Sequence, residues 1–231
     1  MNPSIKVIIP AYNEAGSIAK VIGDIPQIVD ETIVVNNQST DETATVAKNA
    51  GATVLLESNK GYGYACLKGM EYVANLTQKP DIIVFLDGDY SDYPQELRKI
   101  VAPIIEQNID FVIGARVKEL REAGSMTFPQ IFGNALATSL MRLFYGSRFT
   151  DLGPFRAIKY DKLLALAMED KTYGWTVEMQ LKALKKKYTY VEIPVQYRNR
   201  IGVSKVSGTV KGAIFAGVKI LAWIFKYTFK K

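Results

Sequence analysis

Three carboxylates, Asp87, Asp89 and Asp92, stand at the end of the apolar run that opens "IIVFLDGDYSDYP" (Ile82 to Pro94). Asp-Gly between apolar runs is a hairpin signal, but a hairpin needs a second strand at once. Tyr93-Pro94-Gln95-Glu96 leads instead into a segment with helical periodicity. Asp92 is placed to favour the N-terminus of that helix. Asp87 and Asp89 follow a different logic. Side chains two apart on extended chain point the same way, so these two are expected to converge just past the strand end. Two anions held together repel unless a cation lies between them, and hard oxygen ligands select Mg²⁺ or Mn²⁺. Such ions keep positions open for substrate phosphates. The pair therefore implies a divalent metal, and the metal implies a phosphorylated ligand.

The rest of the composition narrows the chemistry. The chain has no histidine, which excludes His-based triads and most zinc enzymes and leaves carboxylates, Lys, Tyr or the substrate's own groups to move protons. Its one cysteine, Cys66, reads as a small packed residue, and no apolar signal run precedes Ile5. A reducing, cytoplasmic setting is the expectation. With 48% hydrophobic and 23% charged residues in 231, the chain has the composition of an ordinary folded protein with one substantial core. The net charge is +6 and Lys and Arg crowd into the last fifty residues. That asymmetry favours an anionic partner for the C-terminal end.

The elements that must position the carboxylates are legible as alternation. Short, nearly continuous apolar runs occur at Ile5 to Pro10, Thr32 to Asn36, Thr53 to Glu57, Asp81 to Leu86 and Asp110 to Ala115. Such runs suit strands covered on both faces. Between them lie helical segments: Ser39 and Glu42 have capping-box spacing, and Pro94 opens a stretch with Leu97, Ile100, Val101, Ile104 and Ile105 on one face. Strand and helix in alternation predict an α/β fold with a single, mostly parallel sheet flanked by helices. In the second half, Phe155 to Tyr160 and Tyr188 to Tyr197 read as strands completing the same sheet, with helices near Pro129 to Tyr145 and Trp175 to Lys187. Ligands of open α/β sheets bind beyond the carboxyl ends of the strands. The segments there are "PAYNE", "NNQSTD", "SNKGYG", "DGDYSD" and Arg116.

In order, "VIIPAYNEAGSI", "IVVNNQSTDET", "NKGYGYACLKG", "FLDGDYSDYP" and "DFVIGARV" strongly resemble the family 2 inverting glycosyltransferases, whose fold is called GT-A and whose metal motif is DxD. "DLGPFRAIKY" and "YGWTVEMQLKALKKKYTYVEIPVQYRNRIGVSK" resemble the polyprenyl-phosphate branch, typified by the dolichyl-phosphate mannose and glucose synthases. The resemblance implies a nucleotide lined by Pro10, Tyr12 and Glu14, with Asn37 at the base edge. It puts Asp87 at the floor of the diphosphate site and Asp89 on the metal. Where the family usually has Asp, this chain has Asn36-Asn37; Asn36 also suits a turn into the next helix. Gly61 and Gly63 are expected to let the backbone pass close to the donor, and Lys60 could touch phosphate.

The same resemblance suggests an acceptor. Hydroxyl-directed relatives need a carboxylate base, and the matching stretch offers Glu178 alone. A phosphate monoester is already an anion near neutral pH and needs cationic positioning instead. Arg200, Ser204 and Lys205 match the branch's R-x-G-x-S-K pattern, and Arg116 matches an arginine after the fifth strand; Asp151 and Arg156 match further positions. Arg116, Arg200, Ser204 and Lys205 are thus the expected acceptor-phosphate set, and Asp151 orients donor or acceptor.

The domain expectation is a transferase unit over 1–205 and an amphipathic helix over 206–231. Lys211, Lys219, Lys226 and Lys230 fall on one arc of that helix, opposite Phe215, Leu221, Ile224 and Phe225. Its uncharged stretches are shorter than the roughly 20 residues that span a bilayer. The expected partner of Val210–Lys231 is a membrane surface. The sequence therefore predicts metal-dependent hexose transfer from a nucleoside diphosphate sugar (GDP or UDP) to a polyprenyl phosphate at the cytoplasmic membrane face. The alternatives are a hydroxyl-directed transferase of surface polysaccharide synthesis and a nucleotide-sugar binding module without turnover. Nucleic acid is not expected as a partner, because the basic residues lie among aliphatics.

Overall fold

The computed structural model describes residues 3–202 and the helix Val210–Phe229. Seven strands form one sheet: β1 (Ile5–Ala11), β2 (Glu31–Asn36), β3 (Thr53–Leu56), β4 (Ile82–Phe85), β5 (Phe111–Ala115), β6 (Arg156–Lys159) and β7 (Tyr190–Pro194). Their order is β3-β2-β1-β4-β6-β5-β7. β1 pairs in parallel with β2 and β4, with Val7 opposite both Thr32 and Val84. β6 is the exception, lying antiparallel between β4 and β5. The α/β class and the mostly parallel sheet are as the sequence predicts.

Alternate residues of each strand feed two cores. Ile8, Ile33, Ile83 and Phe85 point to one face; Val7, Ile9, Val34 and Val84 point to the other. The first face is covered by α3 (Tyr62–Asn75), α5 (Phe128–Tyr145), α6 (Tyr160–Leu166), α7 (Trp175–Lys185) and α8 (Val210–Phe229). The second is covered by α1 (Ile18–Asp24), α2 (Thr43–Asn49) and α4 (Leu97–Gln107). Cys66 is fully buried in the first core, as a packed residue.

Four local expectations fail, each for a physical reason. β3 is an edge strand, so Leu56 stands 67% exposed rather than covered. No capping box forms at Ser39 and Glu42: the Ser39 hydroxyl accepts the Asn13 N–H at 3.0 Å, tying together two strand-end loops. On α4, Leu97, Ile100, Val101 and Ile104 are buried but Ile105 is 47% exposed, because the apolar stripe is narrower than its pattern. Asp92 does not cap the helix after Pro94. Its carboxylate is buried and neither oxygen has a hydrogen-bond partner.

The predicted amphipathic helix at the C-terminus exists but does not lie free. α8 packs on α5 and α7, and Trp223, Ile224 and Tyr227 are buried in the core. Ile224 thus faces inward, not toward a membrane. Lys219 Nζ lies 3.0 Å from Asp170 Oδ2, and Lys226 stacks 4.1 Å from the Trp223 ring centroid. The lysine arc is partly spent on the protein itself.

Candidate active site

The strand ends build a cleft of about 900 Å³. Pro10, Tyr12 and Glu14 follow β1, Asn37 follows β2, Lys60 and Gly61 follow β3, Asp87 and Asp89 follow β4 and Arg116 follows β5; all line it. Arg200 lines it too, arriving from the far end of the chain. Ser204 and Lys205 lie outside the described residues. So do the Lys211 and Phe215 side chains and Lys230.

The aspartates converge through a turn, not through a longer strand. β4 stops at Phe85, and Tyr90 takes a left-handed φ of 63°, which reverses the chain after Asp89. One oxygen of Asp87, Oδ1, is buried without a partner. Burial and the neighbouring Asp89 push the Asp87 carboxyl up to about 7. Asp89 Oδ1 accepts the Ser91 N–H at 2.9 Å and the Ser91 hydroxyl at 2.5 Å. Its Oδ2 pairs with Arg200 Nη1 at 3.1 Å. A buried carboxyl raised by a like charge, with an oxygen unsatisfied, fits a divalent cation, since that cation would remove both costs. Among the described residues no group of three or more acidic, Cys or His side chains gathers to hold a metal. The fit is therefore to an ion that takes its remaining ligands from substrate or water.

Arg200 is delivered by backbone pairing. Arg198 N–H donates to Ser91 O at 2.9 Å and Ile201 N–H to Asp89 O at 3.0 Å, lacing this segment onto the aspartate loop. Arg200 Nη2 then donates to Glu14 Oε1 at 2.8 Å. Arg198, which the sequence reading did not single out, sits between the Tyr90 and Tyr93 rings at 3.6 and 3.9 Å from their centroids. Two tyrosines in "DGDYSDYP" were the available signal.

Arg116 is committed. Its Nε and Nη2 donate to Asp151 Oδ2 and Oδ1 at 2.8 and 2.7 Å, and its backbone N–H also reaches Oδ2. Burial alone would raise the Asp151 carboxyl; Arg116 outweighs it and holds it below the usual range. The fork expected to meet a phosphate is thus occupied, leaving Nη1 as the group outside those bonds. Asp151 thus meets Arg116 through both carboxylate oxygens. Arg156 is fully buried and donates to the carbonyls of Leu152, Gly153 and Thr176, fixing the turn that presents Asp151.

Asn37 does not keep its amide for a base. Nδ2 donates to Asn59 O at 2.6 Å and Glu57 O at 3.3 Å, and Oδ1 accepts the Gly61 N–H at 2.8 Å. It shapes the loop that carries Lys60, whose ammonium stands 5.4 Å from the Tyr12 ring centroid. Asn36 makes the expected turn, Oδ1 accepting the Ser39 N–H at 3.0 Å.

The two glycines of this loop serve packing. Cβ atoms on Gly61 and Gly63 would overlap the carbonyl oxygens of Lys171 and Asp170, and the Tyr64 N–H donates to Lys171 O at 3.1 Å. Gly63→Ala is accordingly expected to cost about 1–3 kcal/mol, read as a lower urea midpoint. An unchanged midpoint would contradict that packing.

Glu178 has turned away from the cleft. Its carboxylate is fully buried, accepts the backbone N–H groups of Glu169 and Asp170 at 2.8 and 2.7 Å, and pairs with Lys182 at 2.7 Å. Another buried acid, Asp92, is pushed well up by burial, with Asp87 and Asp89 adding to the effect. A carboxyl protonated when folded and ionised when unfolded loses stability as pH rises above the ordinary carboxylate range. Asp92→Asn carries no such slope. Its melting temperature relative to the parent should therefore climb as pH rises above about 4; a flat difference would show that Asp92 ionises in the fold.

A sheet of this order, flanked by helices and with a cleft across its strand ends, is that of the GT-A glycosyltransferase fold. The chain belongs to glycosyl transferase family 2, whose model matches residues 6–165. An uncharacterized glycosyltransferase of Mycobacterium tuberculosis is 32% identical over 216 residues, 92% of this chain and 94% of that protein. The undecaprenyl-phosphate mannosyltransferase of Micrococcus luteus is 28% identical over 232 residues, 95% and 93% of the two chains. Among solved structures, glucosyl-3-phosphoglycerate synthase from Mycobacterium tuberculosis, in complex with Mn²⁺, UDP and phosphoglyceric acid, superposes with a TM-score of 0.78 at 20% identity. That match covers 99% of this chain and 80% of the other. The chain is a glycosyltransferase.

Proposed function

We propose that the chain moves a hexose, mannose or glucose, from a nucleoside diphosphate sugar to a polyprenyl phosphate at a membrane surface, with inversion. The observation that carries the acceptor is the state of Glu178. The acids lining the cleft, among the described residues, are Glu14, Asp87 and Asp89, all at donor-side strand ends. With Glu178 bound to backbone N–H groups and Lys182, no carboxylate stands ready to take a hydroxyl proton on the acceptor side. A phosphate monoester has a second pKa of about 6 and attacks as an anion without a base. The 28% identical mannosyltransferase, named for undecaprenyl phosphate, supports this acceptor class.

In this reading Pro10, Tyr12, Lys60 and Gly61 line the nucleotide. Asp89 and Asp87 hold Mg²⁺ or Mn²⁺, and such an ion supplies charge neutralisation for the departing diphosphate. Arg200, with Ser204 and Lys205, receives the acceptor phosphate, and Arg116, aimed by Asp151, faces it from the fifth strand. Guanidinium and ammonium groups around the acceptor bind and aim the attacking phosphate, while the charge that develops falls on the departing diphosphate.

A lipid tail has an apolar route. Phe132, Gly133 and Leu136 of α5 and Val218 and Leu221 of α8 line the same cleft as Asp87. Outside it, Phe128 and Leu143 of α5 are 78% and 74% exposed, and α5 contains no acidic residue. No helix among the described residues is long and apolar enough to cross a membrane, so contact would be peripheral, through α5 beside α8, at the cytoplasmic face. Phe128→Asp should cut binding to anionic vesicles on the order of tenfold while leaving nucleotide affinity unchanged, since Phe128 lies outside the cleft and the change removes apolar area and adds a repelled charge. Equal vesicle binding would dismiss α5 as the contact.

The acceptor is tested by offering polyprenyl phosphate and the matching polyprenol with labelled nucleotide sugar and Mn²⁺. Label on the phosphate alone is expected; label on the alcohol alone would overturn the reading.

A further inference from the structure

The Glu14–Arg200–Asp89 bridge bears on how cation and anion binding communicate. We propose that Arg200 is a competing cation at Asp89, so that a divalent metal and an anionic ligand bind cooperatively: the metal takes Asp89 Oδ2 from Arg200 while the anion takes Arg200 itself. This rests on the proposed reading that Asp87 and Asp89 hold the metal.

Four observations converge. Asp89 Oδ1 is engaged twice by Ser91, which leaves Oδ2 as the oxygen on which a further cation can act, and Arg200 Nη1 stands on it at 3.1 Å. The same guanidinium spans to Glu14 Oε1 at 2.8 Å, so one positive charge serves two carboxylates. Arg200 Nε is buried and has no acceptor, a donor that an incoming phosphate oxygen would satisfy. The backbone of Arg198 and Ile201 is fixed to the aspartate loop. Only the side chain therefore has to move, and it remains beside the site when it does.

A cation on Asp89 Oδ2 meets Arg200 as a like charge in a partly buried site, where screening is weak. Metal binding without an anion thus displaces the guanidinium at a cost. An anion that engages Arg200 removes that cost. By linkage, whatever factor phosphate adds to metal affinity, metal adds to phosphate affinity. Arg200 is in these terms the ligand-binding group that couples the two halves of the site. A transferase built this way fills its metal and anion positions together and is poor at either alone.

The test needs neither lipid nor turnover. Free Mn²⁺ is titrated into the full chain and followed by electron paramagnetic resonance, for the parent and for Arg200→Gln, with and without inorganic phosphate. A protein-free titration corrects for the Mn²⁺–phosphate complex, and thermal melts confirm folding. Without phosphate, Arg200→Gln should bind Mn²⁺ on the order of five- to tenfold more tightly than the parent. Phosphate should tighten Mn²⁺ binding by the parent and not by the variant. Arg200→Lys, whose ammonium cannot bridge two carboxylates as a fork does, should fall between them. The phosphate effect on the parent needs no variant, so a misfolded Arg200→Gln would not rescue the idea. Equal or weaker Mn²⁺ binding by a folded Arg200→Gln, or no phosphate effect on the parent, overturns it. No saturable Mn²⁺ binding by either protein overturns the metal reading with it. Failure of lipid transfer alongside the expected Mn²⁺ results overturns only the acceptor assignment.

Discussion

Asp89→Asn is expected to lower sugar transfer by a factor of at least 10²–10³, the scale of losing one electrostatic group aimed at developing charge. The fold should survive. The amide oxygen of asparagine can still accept the Ser91 N–H that Asp89 accepts at 2.9 Å, so the turn after β4 keeps its tie. What is lost is a negative charge beside Asp87, whose carboxyl is raised to about 7 by burial and by Asp89 itself. With the neighbour neutral, Asp87 ionises more readily but stands alone. A cation then meets one carboxylate instead of two. The check is parallel measurement of transfer rate, Mn²⁺ binding and melting temperature. Transfer within tenfold of the parent, with the melt unchanged, would show that the strand-end pair is not the metal site.

The largest expected effect on stability lies away from the chemistry. Asp170 is fully buried, and one oxygen accepts the N–H groups of Thr172 and Gly174 at 2.7 and 3.1 Å. The other accepts Trp223 Nε1 at 2.5 Å and pairs with Lys219 at 3.0 Å. Asp170→Ala strands three N–H donors, each worth about 1 kcal/mol or more when left unsatisfied, so a loss of about 3 kcal/mol is expected. The consequence reaches both ends of the site. Trp223 is the anchor of α8, and the neighbouring Lys171 carbonyl accepts the Tyr64 N–H at the start of α3. Faster proteolysis of α8 and weaker nucleotide binding should accompany the lower denaturation midpoint. A loss under about 1 kcal/mol would mean that α8 is held by apolar contact alone.

How much of this was readable in the residues depends on how far apart the partners lie. The strands were visible because Ile, Val and Phe run without interruption where both faces are covered, and Asp87 and Asp89 were visible because carboxylates at a buried strand end have no cheap alternative. Glu14 and Arg200 were each singled out, but the bond between them spans 186 positions and no local pattern announces it. Glu178 and Asn37 show a second limit. Their types were noted, yet function turns on where each side chain points, and backbone N–H groups of neighbouring loops took both. α8 shows a third: a face of Trp, Ile and Tyr at helical spacing suits a core as well as a membrane, and here it suits the core. The antiparallel β6 has no sequence signature at all, because its direction is set by how the chain returns from α5.

The proposed acceptor is tested most directly by ³¹P nuclear magnetic resonance of a reaction holding the chain, Mg²⁺, nucleoside diphosphate sugar and a short-chain polyprenyl phosphate. The prediction is that the monoester resonance converts to a sugar phosphodiester as the nucleoside diphosphate appears, one for one. Nucleoside diphosphate released while the monoester stays intact, with the sugar found on a hydroxyl or as free hexose, would contradict it.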